Sequence, residues 1–313
     1  IPAPEVGPGQ VRVRVDAAAV NFPDVLLVAD DYQLRVPTPF VPGSEFAGVV
    51  SEMAPDVQGL SSGDRVFGTT LVGAFAEEVV VAAAALTPVP AGLDQCSAAA
   101  LGVAHRTAFH VLRSVAALQP GEELVVLGAG GGVGLAAVEL GSVLGASVTA
   151  VASSEEKLAA ATGKGARRSI DHQSGDLRAT LRQAIPDGAD VVVDPVGGAL
   201  SEPTLRSLRF GGRFVTVGYA SGSIPRIPLN LVLLKGVHVL GFQFVDFATH
   251  RPDELRRDER ELLELVGSGR VRPHIGATFA LADVAAALRY VADGRAVGKV
   301  VLDVTGQPAT ATP

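Results

Sequence analysis

The stretch Glu122-Glu123-Leu124-Val125-Val126-Leu127-Gly128-Ala129-Gly130-Gly131-Gly132-Val133-Gly134-Leu135-Ala136-Ala137-Val138-Glu139-Leu140 decides the fold. It reads as a short apolar strand over 124–127, a glycine run, and an amphipathic helix over 132–144. That order presents the free N–H groups of a helix N-terminus to an anion. A pyrophosphate is the expected anion, because the loop follows a buried, parallel-type strand. Glycines let the backbone approach phosphate oxygens with no Cβ in the way. The G-x-G-x-x-G pattern is met imperfectly, since the frame Ala129-x-Gly131-x-x-Gly134 has alanine at its first glycine. The flanking strand and helix therefore carry the reading together with the glycines.

Outward from this stretch, the chain alternates. Strand-like runs fall at 124–127, 147–151, 168–170, 190–194, 213–217 and 237–240, with helical stretches at 132–144, 154–161, 176–184 and 200–208. Alternation of this kind makes a parallel sheet with helices on both faces, and six strands complete the two halves of a dinucleotide-binding fold. An alanine-rich helix is expected over 98–112. Residues 1–98 differ. Gln10 to Val15 alternates as a half-buried strand does, and short strands at 46–50, 64–68 and 77–81 are separated by turn residues, as in a partly open β-barrel or sandwich. Beyond the loop marked by Pro225 and Pro228, a charged helix over 253–266 reads as a solvated face with i,i+4 pairs. A helix over 281–291 and a strand over 298–304 follow, and the Pro/Thr/Ala-rich tail from Thr305 is expected to fray. The fold class is α/β.

The chain has 313 residues, of which 48% are hydrophobic and 19% charged, enough for two globular domains. A net charge of −7 with no Lys/Arg run does not favour nucleic acid. The single cysteine, Cys96, allows neither an internal disulfide nor a Cys-based zinc cluster, reads as a small packed residue, and fits a reducing, cytoplasmic setting. No run of about 18 apolar residues suggests a membrane span. No signal peptide is visible. The chain opens at Ile1 and its only methionine is Met53, so a native N-terminus is expected to lie upstream.

Five segments together carry a resemblance: 19–24 (Ala-Val-Asn-Phe-Pro-Asp), 42–48 (Pro-Gly-Ser-Glu-Phe-Ala-Gly), 63–66 (Gly-Asp-Arg-Val), the glycine loop 128–134, and 298–301 (Gly-Lys-Val-Val). In their order and spacing, from about Val11 to Asp303, the chain resembles the zinc-free quinone oxidoreductase (zeta-crystallin-like) branch of the medium-chain dehydrogenase/reductases. The resemblance implies a Rossmann-type doubly wound domain at 99–242 inserted into a β-rich, GroES-like catalytic domain at 1–98 and 243–313. It also implies an active site in the cleft at their junction, and roughly two catalytic-domain strands preceding Ile1.

Zinc-dependent relatives place a Cys early in the catalytic domain and a His before the Glu of a Gly-His-Glu motif. Asn21 or its neighbours and Ser44 correspond here, and neither is a usual zinc ligand. His105 and His110, at i,i+5, do not share a helix face, and His110 reads as a helix-surface residue. No metal is expected.

The tip of the second nucleotide-domain strand carries no Asp or Glu to hold a ribose hydroxyl. Ser153 and Ser154 can donate hydrogen bonds there and Lys157 can pair with a phosphate, although Ser153-x-x-Glu156 is also a capping box. These residues favour NADPH, even though Glu155 and Glu156 weaken the local positive potential. The resemblance implies that Lys157 holds the 2′-phosphate, with Arg295 as a second cation and His172 where many relatives have Tyr.

The protein's share of hydride transfer is orientation. Without zinc a simple carbonyl is poorly polarised, so a conjugated acceptor is the natural substrate. By resemblance, Asn21 and Thr107 lie near the nicotinamide ribose and ring. His105 stands where some relatives have Tyr, and could donate to the acceptor or simply pack. Ala129, Gly131, Gly132, Val133, Gly134, Val196, Val217, Gly218, Tyr219 and Ala220 line the cofactor groove, Val196 and Val217 doubling as strand core. Tyr32, Gln243 and Phe244 reach the acceptor. The expected activity is NADPH-dependent, zinc-independent reduction of quinones or α,β-unsaturated carbonyls. The rivals are an enoyl-thioester reductase and a non-catalytic NADPH-binding protein of crystallin or RNA-binding type. The apolar strand 237–242 would be an exposed edge in a monomer, which points to a homodimer paired through it.

Overall fold

The structure is a computed structural model and describes residues 4–306. The end of the tail expected to fray lies outside the described residues. The chain forms two compact units, residues 1–103 with 272–313, and residues 104–271.

The first unit is organised by β1 (Gln10–Val20). Val11, Val13 and Val15 are buried, while Arg12 turns outward to ion-pair with Glu52 and Glu78, each at 3.0 Å. This is the alternation of a strand with one wet face. After β1 come α1 (Phe22–Val28), β2 (Glu45–Met53), β3 (Arg65–Thr69), β4 (Glu78–Ala82), β5 (Leu86–Pro88) and α2 (Gln95–Ala99). One side of β1 pairs along its length with β2, which continues to β3 and β5. Its other side pairs with β4 through residues 10–14 and with a late strand, Lys299–Asp303, through residues 17–20.

The second unit begins with α3 (Ala104–His110) and a wide helical turn over Val111–Val115. It then alternates: β6 (Glu123–Leu127), α4 (Gly132–Val143), β7 (Ser147–Ala152), α5 (Glu155–Gly163), β8 (Arg168–Asp171), α6 (Leu177–Ala184), β9 (Ala189–Asp194), α7 (Ser201–Leu205), β10 (Leu208–Thr216), α8 (Leu229–Lys235) and β11 (His238–Gly241). The strands form a parallel six-stranded sheet in the order β11-β10-β9-β6-β7-β8, the doubly wound arrangement. The apolar runs 124–127 and 191–193 are fully buried, as strands covered on both faces require. Two further helices, α9 (Phe244–His250) and α10 (Pro252–Gly267), close this unit. The chain then returns to the first unit with β12 (Ile275–Ala280), α11 (Val284–Ala292) and β13 (Lys299–Asp303). No described helix is long and apolar enough to cross a membrane.

Four expectations need correction. The helix over 98–112 is broken, because the turn at Gly102 lets the Glu45 carboxylate take the Val103 N–H at 2.7 Å, and a side chain at 102 would collide with Thr69. The helix over 200–208 is shorter, since Leu208 already pairs with Ala189 as β10 begins. His110 is fully buried rather than on a helix surface, and its Nδ1 meets Asp258 of α10 at 3.1 Å. Accordingly α10 is not wholly solvated: Asp258, Leu262 and Val266 are buried. The same contacts, with Arg106 paired to Glu259 and Arg113 to Glu261, tie α10 to α3 and the turn after it within the second unit, which runs to Val271.

Candidate active site

The glycine loop is built by close backbone approach. Gly128 takes a left-handed turn (φ 59°) directly after β6, and Gly131 caps α4. A Cβ on Gly134 would run into the Gly128 carbonyl, which sets the tight angle between strand and helix. The loop is pinned by Ala129 N–H to Val151 O at 3.0 Å and Gly131 N–H to Gly128 O at 2.9 Å. The N–H groups of Gly132, Val133 and Gly134 open the helix, where no intrahelical carbonyl can take them, so they face an incoming anion. Val196 packs directly on Gly128, close enough that a Cβ there would lie 2.6 Å from its methyl.

At the end of β7 the expected residues come together. Ser154 caps α5 by accepting the Lys157 N–H at 3.4 Å, and Lys157 Nζ lies 3.4 Å from Ser153 Oγ. The alkyl stem of Lys157 lies across Gly130, leaving no room for a Cβ at that position. His172 joins the same edge, its N–H donating to Ala152 O at 3.1 Å. Asp171 stands opposite Ala152, but its carboxylate accepts its own turn's Gln173 N–H at 2.8 Å. Glu155 and Glu156 fall in the first turn of α5, where they favour the helix dipole.

The next groove wall rests on Asp194, which sequence reasoning did not single out. It is fully buried and accepts from Val196 N and Gly197 N at 2.8 Å and from Ser201 Oγ at 2.6 Å. Val217 N–H bonds to Asp194 O at 2.8 Å and Ala220 N–H to Pro195 O at 3.2 Å, so the 217–220 turn is fixed beside residues 195–197. Gly218 is half-buried, and Tyr219 lies against Gly197 and is 40% exposed. The signal for Asp194 was available, as a carboxylate directly after the apolar run 191–193.

Other expected residues of this unit have definite partners. His105 is buried with Nε2 3.3 Å from Glu139, and Lys164 holds the other Glu139 oxygen at 2.8 Å. Its Nδ1 is buried without a hydrogen-bond partner. Thr107 is half-buried. Gln243 caps α9 by accepting the Asp246 N–H at 2.6 Å. Phe244 packs edge-on to His110 with centroids 5.6 Å apart and under the Arg106 guanidinium at 4.8 Å.

In the first unit, Asn21 is the junction of a buried polar cluster. Its Nδ2 donates to Glu45 Oε1 at 3.0 Å and to Ser44 Oγ and Ala19 O at 3.3 Å, and its Oδ1 accepts from Lys299 Nζ at 2.6 Å. Lys299 also ion-pairs with Glu45. Asp24 accepts the Asn21 N–H at 2.8 Å. Tyr32 is half-buried in the loop after α1, and the Arg295 guanidinium lies over the Tyr290 ring at 4.6 Å. Lys299 was legible only as part of a motif. Its partners are over 250 positions away in sequence.

These residues do not fit a zinc ion. The ligand positions hold an amide and a hydroxyl, the nearby carboxylate is already paired, and a lysine ammonium stands among them. Among the described residues, no group of three or more His, Cys, Asp or Glu could hold a metal.

A GroES-like β unit joined to a doubly wound nucleotide-type unit defines the medium-chain dehydrogenase/reductase class. Residues 7–91 match the alcohol dehydrogenase GroES-like domain and residues 132–268 the domain described as zinc-binding dehydrogenase. The chain is 37% identical to quinone oxidoreductase-like protein 2 of Bos taurus over 301 residues, covering 96% of this chain and 86% of that protein. The solved quinone oxidoreductase of Thermus thermophilus, described also in complex with NADPH, is 32% identical with a TM-score of 0.85, covering 97% of this chain and 94% of that one. The CurK enoyl reductase structure is 25% identical with a TM-score of 0.85, covering 97% and 93%. The chain belongs to the zinc-free quinone oxidoreductase branch of the medium-chain dehydrogenase/reductases.

Proposed function

We propose that this protein is an NADPH-dependent, zinc-independent reductase of quinones or α,β-unsaturated carbonyls. The observation that carries the reading is the packing of Lys157 across Gly130, with Ser153 and Ser154 beside it and neither Asp nor Glu within β7 or at 153–154. A cation and two hydroxyls suit a 2′-phosphate, where an NAD enzyme keeps an acid. The relatives described as quinone oxidoreductases support the same choice.

The residues present fit the cofactor. The opening N–H groups of α4 would take the pyrophosphate, and Gly128 through Gly134 leave the space for it. Val196 and residues 217–220 would line the groove, while Lys157, with His172, would hold the 2′-phosphate. When bound, NADPH supplies a hydride. From the second unit, His105 and Thr107 would set the reacting face, and Gln243 and Phe244 the acceptor's surroundings. A conjugated acceptor spreads the incoming charge and needs no Lewis acid. Cys96, the single cysteine of the chain, suits a reducing, cytoplasmic setting. The protein is a homodimer in this reading, paired through the open edge of β11.

The test is calorimetric titration with NADPH and NADH. Lys157→Ala is expected to lose NADPH affinity on the order of tenfold or more, the worth of one charge-assisted hydrogen bond, and to leave NADH binding unchanged. Equal binding of both cofactors, unmoved by the substitution, overturns the assignment. A second reading, an enoyl-thioester reductase, is favoured by the likeness to CurK. Turnover of acyl thioesters in preference to quinones and enones would select it.

A further inference from the structure

The second unit buries the acids Glu139, Asp190, Asp194 and Asp258. Lys164 pairs with Glu139 at 2.8 Å, Arg257 with Asp258 at 2.7 Å, and Arg209 with Asp190. Asp194 differs. Among the described residues it meets only neutral donors: the N–H groups of Val196 and Gly197, each at 2.8 Å, on one oxygen and the Ser201 hydroxyl at 2.6 Å on the other. These bonds satisfy both carboxylate oxygens without neutralising the charge. A buried charge with no counter-charge is costly. The shape of the 195–197 wall does not require it, because an amide oxygen would accept the same two N–H groups.

The place of Asp194 in the sheet matters. From β6 the strand order runs outward to β7 and β8 on one side, and from β9 to β10 and β11 on the other. The two halves meet where β6 pairs with β9, and a dinucleotide lies in the crevice at the carboxyl ends of such strands. Val193 pairs with Val126, so Asp194 ends β9 at that crevice. Lys157 puts the 2′-phosphate on the β7 side and the glycine loop after β6 takes the pyrophosphate, so the nicotinamide half falls on the side of β9 and β10. There Asp194 holds residues 195–197 by its side chain and Val217 by its carbonyl. Oxidised and reduced cofactor differ by one hydride, a proton with two electrons, so the oxidised nicotinamide carries one more positive charge.

We propose that the oxidised nicotinamide is the cation Asp194 lacks, so that this carboxylate favours bound NADP+ over bound NADPH, an inference that rests on the NADPH reading above. The charge is fixed by its hydrogen bonds before the cofactor arrives and needs no reorganisation when positive charge develops. It makes bound NADPH a stronger hydride donor. Asp194 is fully buried and acts through its field and through the wall it holds, so it is a positioning residue rather than a catalytic one.

The experiment is calorimetric titration of the full chain with NADP+ and with NADPH, with no acceptor present. Asp194→Asn is expected to weaken NADP+ binding on the order of tenfold and to leave NADPH binding unchanged, which raises the potential of the bound couple by about 30 mV. Ser201→Ala removes a hydrogen bond but keeps the charge, and is expected to leave the ratio of the two affinities as in wild type. Equal losses for both forms in Asp194→Asn, a larger loss for NADPH, or no change overturn the proposal, the first by reducing Asp194 to the shape of the wall. A shift in Ser201→Ala as large as that in Asp194→Asn overturns it too. If Asp194→Asn does not fold, wild type decides: it is expected to bind NADP+ at least as tightly as NADPH, and a preference for NADPH overturns the proposal. A wild type that binds neither form overturns the NADPH reading itself, and the proposal with it.

Discussion

Gly130 shows how a single missing Cβ shapes the proposed phosphate site. Its α-carbon lies under the Cβ, Cγ and Cδ of Lys157, the near part of that side chain, so an added methyl has no flexible tip to push aside. Gly130→Ala is expected to displace Lys157 and cost about 1–3 kcal/mol of NADPH affinity, the range for overpacking, while leaving the folded state intact. Fluorescence titration of NADPH beside a far-ultraviolet dichroism spectrum checks both halves. Lys157 and the serines were legible from sequence, because they follow the strand tip directly. The dependence on Gly130 was not, because it arises between one βα loop and the helix of the next.

At the scale of elements, α10 is the instructive case. Its sequence, dense in Asp, Glu and Arg, reads as a solvated helix, yet its Asp258 is fully buried against α3 and the turn that follows. Asp258 accepts from His110 Nδ1 at 3.1 Å, Ser114 Oγ at 2.5 Å and Arg257 at 2.7 Å. Burial alone would lower the His110 pKa, but the bond to Asp258 and the Glu259 carboxylate 3.9 Å from Nε2 outweigh it and raise the value above 6.5. The stabilisation is therefore full below that free value and is lost as pH rises through the folded one. Asp258→Asn is expected to cost about 3–5 kcal/mol at acid pH, the range for breaking a buried ion pair, and less once His110 is neutral. Urea unfolding on either side of the transition measures the difference. A cost independent of pH would show that His110 carries no proton there.

At the scale of the molecule, one edge of the six-stranded sheet lies at β11, and the second unit also carries unusually exposed apolar side chains. Phe210 is 86%, Leu229 80% and Leu233 81% exposed. Apolar exposure of this kind marks an interaction surface. With a second copy of the chain as the proposed occupant, Leu233→Glu is expected to convert a dimer to a monomer in sedimentation equilibrium. A wild-type protein already monomeric at micromolar concentration would overturn the homodimer.

The sequence by itself determined the elements whose cause is local. Period-two alternation at 10–15 made a half-buried strand, and strand–glycine–helix order at 124–140 made the anion-facing turn. The alternation after it made the parallel sheet. These follow from backbone sterics and hydrophobic period, which act over a few residues. The tertiary structure alone decided which charges are buried and with whom. Lys299 meets Asn21 and Glu45, His110 meets Asp258, and Glu139 meets His105 and Lys164, all across sequence distances over which no periodicity operates. The physical reason is desolvation. A buried charge is tolerable only where the fold supplies its partner, and that partner is chosen by topology rather than by neighbours in the chain.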